Sequence, residues 1–241
     1  MQIECSNLHF TELNEQIKSI KDSNIILNSV LGQRLIASGL HGKNIEIHGV
    51  PGNGLGAYLN GCNIVVHGNV QEATGDTMNS GEIIVYGSAG DVTGYAMRSG
   101  KIFIRDSVGY RCGIHMKEYK ENKPAIVIGG RAGSFLGEYL AGGILILLGL
   151  HTDNKPIYGN FIATGMHGGK IVLRAKELPS YIPPHLKAEK IKKLEDIELI
   201  NLITQWCKHF NYDSKQLLQD EYIVLQVNDN NIYKQMYTSN L

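Results

Sequence analysis

Residues 56–68 read Gly56-Ala57-Tyr58-Leu59-Asn60-Gly61-Cys62-Asn63-Ile64-Val65-Val66-His67-Gly68, and 19 residues on the chain reads Gly75-Asp76-Thr77-Met78-Asn79-Ser80-Gly81-Glu82-Ile83-Ile84-Val85-Tyr86-Gly87. The step runs on to Gly94 and Gly113. Isoleucines keep the same phase at Ile45, Ile64, Ile83 and Ile102, with Ile47, Val66, Val85 and Ile104 two residues later. A third column is Leu59, Met78, Met97 and Met116. Independent columns that stay in phase without an insertion define a 19-residue repeat. Past Met116 the step lengthens. Ile126 and Ile128 come 24 residues after Ile102 and Ile104, which places an insertion near Lys117–Pro124. Leu145 and Leu147 resume the step of 19, and Ile171 and Leu173 follow 26 later, with the extra residues near His151–Ile157. Upstream, Ile26 lies 19 before Ile45, and Leu40 lies 19 before Leu59.

Each unit holds one short stretch with period-two alternation, such as Asn44-Ile45-Glu46-Ile47-His48, which reads as a strand. The rest is punctuated by glycine and too short for the crossover helix of a βαβ unit of roughly 30 residues. Successive strands must then stack directly, parallel and in register. The predicted fold is an all-β core, a single-stranded parallel β-helix of about seven coils, one per repeat. At ~4.8 Å per coil the column stands ~30 Å tall. The Ile and Met ladders fill its interior. Gly56, Gly75, Gly94, Gly113 and Gly137 take the corners, where positive φ or close backbone approach excludes a side chain.

The glycines also divide the chain. All 28 lie between Gly32 and Gly169. Residues 1–31 are expected to form a small α/β cap, with a helix over Thr11–Lys21 and an irregular first coil at Ile25-Ile26-Leu27. Residues 32–175 form the β-helix. Residues 176–241 form a linker, Pro179–Pro184, and a mostly helical tail. That tail has Asp196 as N-cap of a helix with Leu199, Leu202, Ile203, Trp206 and Phe210 on one face, Asp213 as cap of a shorter helix, and a strand at Tyr222–Val227. The 23 basic and 23 acidic residues balance, which argues against a nucleic-acid binder acting through bulk charge. No run approaches 18 apolar residues, and the N-terminus has no signal-peptide pattern, so a cytoplasmic protein without a membrane span is expected. Cys5, Cys62, Cys112 and Cys207 are scattered, with no metal or disulfide framework.

One column breaks the expected alternation. Glu46, Val65, Ile84, Phe103, Val127, Ile146 and Val172 face outward by the register, yet six of the seven are apolar. Parallel sheets with two apolar faces are covered on both. Part of this stripe is therefore expected to lie under the chain's own tail and part under a partner.

Few residues suggest chemistry. Gly52-Asn53-Gly54-Leu55-Gly56 lacks the GxGxxG spacing and the following helix of a dinucleotide site, and reads as a glycine corner. His48 and His67 sit one coil apart, but their column continues as Tyr86 and Arg105. They read as stacked surface side chains rather than metal ligands. Glu72 and Asp91 are similarly spaced, beside Asn53 and Tyr110, with no basic cluster for a polysaccharide lyase. A β-helix needs none of His115, Lys117, Glu138 or His167 for packing. With Arg111, Arg131, Tyr139, Val65, Ile84 and Phe103 they are the candidate interface. No catalytic, cofactor-binding or metal-binding residue is assigned.

Gly75–Gly81, Gly94–Gly100, Val108–Lys117, Gly133-Ser-Phe-Leu-Gly-Glu-Tyr-Leu-Ala-Gly-Gly143 and Thr164-Gly-Met-His-Gly-Gly169 resemble the GXGXG domain at the C-terminus of the glutamate synthase large subunit, above all its stand-alone archaeal-type form. The C subunit of formylmethanofuran dehydrogenase is similar. The resemblance covers about residues 24–175 and extends to Tyr233–Thr238, with Leu140 where a Met is expected, a nearly volume-neutral exchange. It implies a right-handed β-helix and a non-catalytic scaffold subunit of an FMN-dependent glutamate synthase-type complex. Amidotransferase and FMN-binding synthase subunits would be its partners, with FMN and an iron–sulfur cluster held by them and not by this chain. A hetero-oligomer is expected, with a homo-oligomer open to the isolated chain. A formylmethanofuran dehydrogenase-like scaffold is the alternative within the family, and a carbohydrate-active β-helix the alternative outside it.

Overall fold

The computed structural model describes residues 1–152 and 155–228. Those residues build one eleven-stranded, mostly parallel sheet and three helices. A three-residue edge strand, β1 (Gln2–Glu4), precedes α1 (Phe10–Ser19) and pairs in parallel with β2 (Asn24–Leu31). The sheet then adds β3 (Asn44–Val50), β4 (Asn60–His67), β5 (Ser80–Val85), β6 (Lys101–Ile104), β7 (Ala125–Ile128), β8 (Ala141–Leu147) and β9 (Gly168–Arg174), each parallel to the last. The tail reverses direction. It contributes β10 (Leu186–Ile191), α2 (Ile197–Phe210), α3 (Ser214–Leu218) and β11 (Tyr222–Val227). β11 runs antiparallel on β9, and β10 antiparallel on β11.

The pairing register follows the sequence columns. Ile45, Ile64, Ile83, Ile102, Ile126, Leu145 and Ile171 are successive partners, as are Ile47, Val66, Val85, Ile104, Ile128, Leu147 and Leu173. Both columns are buried in one core, which also takes Leu59, Met78, Met97, Met116, Leu140 and Met166. A second ladder of bridges, Val70–Ala89–Val108–Ala132, repeats the same steps away from the strands. The first rung departs from the expected one. Ile25, not Ile26, pairs with Ile45, because the opening step is 20 residues long. A one-residue slip exchanges the faces of a strand, so Ile25 is buried and Ile26 faces outward beside Glu46.

The opposite face of the strands carries the second core. Ile84, Phe103, Val127, Ile146 and Val172 pack against Leu199, Leu202, Ile203, Trp206 and Phe210 of α2, with Leu217, Tyr222 and Val224. The helix forms as its sequence predicts. Asp196 accepts hydrogen bonds from the N–H groups of Glu198 and Leu199, no Gly or Pro interrupts the run, and Asn211 ends it in the left-handed region. Trp206 is fully buried, and its indole Nε1 donates to the Ile104 carbonyl at 2.8 Å. Gly129 makes room for it, since a Cβ there would run into the indole. Asp213 caps α3, and β11 spans the predicted residues.

Strand β10 is not anticipated by the sequence reading. Its alternation is polar (Lys187, Glu189, Lys190), as suits the edge strand of a sheet. Tyr233–Thr238 lies outside the described residues. No helix among them is long and apolar enough to cross a membrane.

Candidate functional site

Each of seven turns between strands holds three residues with positive φ, spaced two apart: 35/37/39, 54/56/58, 73/75/77, 92/94/96, 111/113/115, 135/137/139 and 161/163/165. Their amides explain the alternation. The middle N–H points to the preceding turn: Gly75 to Leu55, Gly94 to Thr74, Gly113 to Thr93, Gly137 to Cys112. The flanking N–H groups point to the following one: Ala73 to Asp91, Thr77 to Tyr95, Arg111 to Ser134, His115 to Glu138, Phe135 to Asn160 and Tyr139 to Thr164, at 2.7–3.0 Å. A left-handed residue costs about 1–2 kcal/mol when it is not glycine. These hydrogen bonds, each contributing about 1 kcal/mol net, offset that cost.

Direction also decides residue type. The middle position faces the core. A Cβ on Gly75 would stand 2.5 Å from Ile102 Cδ1, one on Gly113 2.7 Å from Leu145, and one on Gly137 2.6 Å from Ile171 Cδ1. Gly56 and Gly94 meet Ile83 and Ile126 in the same way. In these five turns glycine is thus favoured twice over, by φ and by space, whereas the first and last turns hold Ala37 and Ala163, both buried, at the same position. Most flanking positions carry side chains and are exposed or half-buried, the exceptions being Gly39, Gly54 and Gly165.

In the later turns those side chains form a continuous patch. His115 stacks on Tyr139 (centroids 5.2 Å apart), with Tyr95 edge-on to His115 at 5.9 Å. The Tyr139 ring lies over Gly165, where a Cβ would come within 2.5 Å of it. Alongside, Phe135 stacks on Phe161 at 5.0 Å, and the Arg111 guanidinium sits over the Phe135 ring at 4.6 Å while pairing with Glu138 at 3.0 Å. Tyr139 is 41 % and Phe161 62 % exposed. Exposed aromatic residues on left-handed backbone are unusual.

A polar cavity of about 520 Å³ adjoins the patch. The column Asn60, Asn79, Arg98, Lys117 lines it, and Tyr119 and Asn122, bridged across the inserted loop, close one side. The insertion seen in the sequence thus builds a wall, and the lining residues carry two cations and no carboxylate. Such a recess suits a carboxylate or another anionic group.

Of the other sequence candidates, Arg131 donates from Nε to the Pro156 carbonyl at 2.6 Å, tying down the second insertion, and His167 Nδ1 lies 3.1 Å from the Gly165 carbonyl. Ile84 and Phe103 must be removed from the interface. α2 covers both, and Phe103 is fully buried, because the apolar stripe is satisfied within the chain. Val65, at the margin of that cover, is half-buried. Glu72 is exposed, and Asp91 accepts the Tyr110 N–H at 2.8 Å, so these carboxylates do not work as a pair. Cys112 is fully buried, and burial pushes its thiol up to about 12, which makes it inert core. Among the described residues one group of three metal-ligating side chains converges, Glu46, His48 and His67, toward the opposite end of the sheet from the aromatic patch. Sequence reasoning found the two histidines and missed the glutamate. It also missed Tyr95, Phe135 and Phe161, because the positions that display them have no residue type in common.

Comparison with known proteins gives a match to the GXGXG motif family over residues 6–228. An uncharacterized protein of Methanocaldococcus jannaschii is 46 % identical over 220 residues, covering 87 % of this chain and 84 % of its own.

Proposed function

The chain belongs to the GXGXG motif family, and on that premise we propose that it is a non-catalytic scaffold subunit of a glutamate synthase-type complex, its coils wound as a right-handed β-helix. The observation that carries the reading is the division between its faces. The apolar stripe is roofed by the chain's own tail, whereas His115, Phe135, Tyr139 and Phe161 of the aromatic patch are held on backbone that favours glycine. Aromatic residues and arginine are the side chains most enriched in the energetic centres of protein interfaces. The adjoining recess with Arg98 and Lys117 offers an acidic residue of the partner a place to dock. The partners are an amidotransferase subunit and an FMN-binding synthase subunit, which carry the flavin and the iron–sulfur cluster.

Co-expression of the chain with those two subunits from the same organism, followed by size-exclusion chromatography, tests this. The expected result is one co-eluting complex whose glutamate synthase activity needs all three chains, weakened by Tyr139→Ala with Phe161→Ala. Failure of the wild-type chain to co-elute, or full activity without it, overturns the assignment. Co-elution with molybdopterin-dependent formylmethanofuran dehydrogenase subunits instead would keep the scaffold role and change the complex.

A further inference from the structure

Glu46 and His48 alternate onto the same outward face of β3, and His67 is the register partner of His48 on β4. The two imidazoles lie almost parallel, 8° apart with centroids at 4.7 Å. Both present Nε2 to one carboxylate oxygen. Glu46 Oε1 is 3.2 Å from His48 Nε2 and 2.9 Å from His67 Nε2. All three donor atoms fall within 4.8 Å of one another.

We propose that Glu46, His48 and His67 form a zinc-binding site on the strand face, outside the aromatic patch. Imidazole nitrogen and carboxylate oxygen are the donors this ion takes at about 2.0–2.2 Å, with neighbouring donors of a tetrahedral shell roughly 3.3 Å apart. The two glutamate–histidine separations are already within a few tenths of an ångström of that spacing. Only the gap between the nitrogens must close, by a tilt of two half-exposed rings.

The ring that moves less is His67, which has a wall behind it. Tyr86 stacks on it at 5.3 Å, and Tyr86 is fixed by its hydroxyl donating to the His209 carbonyl at 2.7 Å and by edge contact with Phe210. The tail helix that roofs the apolar stripe therefore also steadies one ligand. The next cation along the column, Arg105, is held by its own partner Asp106 at 2.9 Å. Three protein ligands leave a fourth position to water or to a group brought by another molecule, and the exposure of the site leaves that position open. The competing account is a surface carboxylate shared by two histidines, worth less than about 1 kcal/mol and needing no ion.

Isothermal titration of the tag-free, chelator-treated full chain with ZnCl2, and with MgCl2 as control, separates the two. The expected result is one Zn²⁺ per chain, no Mg²⁺ binding, and visible ligand-field bands of a four-coordinate site when Co²⁺ replaces Zn²⁺. Glu46→Gln and His67→Ala should each weaken zinc binding by at least roughly tenfold. Both residues are half-exposed, so the metal-free variants should melt as the metal-free wild type does. The proposal is overturned by absence of zinc binding to the wild-type chain, or by binding that survives both substitutions unchanged. The scaffold reading stands or falls separately, since complex formation is read without added metal.

Discussion

The two long faces of this molecule treat hydrophobic groups in opposite ways. On the strand face, an apolar stripe that register assigns to the outside is hidden by a tail folded back over it, down to the fully buried Phe103 and Trp206. On the turn face, aromatic rings stand in water on backbone that penalises them. Burial is the default fate of large apolar surface, so the strand face needs no partner to explain it. The turn face has no such cover among the described residues, and on the scaffold reading proposed above it is the face offered to a partner.

The largest effect should follow from removing the cover. Truncation after Lys176 deletes α2, α3 and both antiparallel strands, exposes Phe103, Val127, Ile146 and Val172 together, and leaves the β9 edge unpaired. We expect an aggregation-prone chain with strong binding of a hydrophobic dye. A truncated chain that stays monomeric, dye-silent and equally stable would erase the distinction between the two faces.

A smaller, sharper contrast lies within a single turn. Gly137 and Tyr139 share the left-handed conformation, with φ of +66° and +52°, but face inward and outward respectively. Gly137→Ala adds about 1–2 kcal/mol of backbone cost to a clash with Ile171 Cδ1, and should lower the melting temperature by several degrees. Tyr139→Gly relieves that backbone cost while losing the stack on His115, and should leave the melting temperature nearly unchanged while weakening the proposed complex with synthase subunits. Equal destabilisation by both would mean that Tyr139 serves folding rather than recognition.

That contrast also marks how far the sequence could be read. Columns facing the core were legible, because the core demands one chemistry at every step: Ile45, Ile64, Ile83 and Ile102 for filling, Gly75, Gly94 and Gly113 for space. The amphipathic helix from Leu199 to Phe210 was legible for the same reason, and the apolar stripe correctly announced that something lay over it. The flanking left-handed columns were not. Tyr58, Thr77, Ala96, His115 and Tyr139 share a conformation imposed by the direction of their amides toward the next turn, and no side-chain type records it. The first rung was misread by one residue because Ile25 and Ile26 are both isoleucine and only the length of the opening turn decides between them. The Glu46 cluster was half legible. Glu46-x-His48 with a histidine 19 residues on puts three donors on one face by strand alternation, but the reach of the carboxylate to both rings is a side-chain fact.

The smallest effect concerns how the covered face is fastened. Asp196 caps α2 with Oδ1 and accepts from Lys170 Nζ of β9 with Oδ2 at 2.8 Å, so one carboxylate joins the start of the covering helix to the sheet beneath it. The hydrogen bond from Lys170, its positive charge and the backbone N–H groups of Leu199 and Glu198 hold the Asp196 carboxyl below its ordinary value of 3.8, against the opposing effect of partial burial. A carboxyl more acidic in the folded chain than in the unfolded one contributes stability that is fully present above the unfolded value and is lost as pH falls through the folded one. Asp196→Ala should therefore cost about 1 kcal/mol at neutral pH, the usual worth of an N-cap, or roughly 2–4 °C in melting temperature for a chain of this size. The gap between variant and wild type should narrow as the pH drops below 3.8. Asp196→Asn keeps a capping oxygen but no charge for Lys170, and should fall between the two. Thermal melts of the three proteins across that acid range check the assignment. A gap that stays constant into acid would show that the ionised carboxylate is not what fastens the helix, and that α2 is held on the sheet by Trp206 and its apolar neighbours alone.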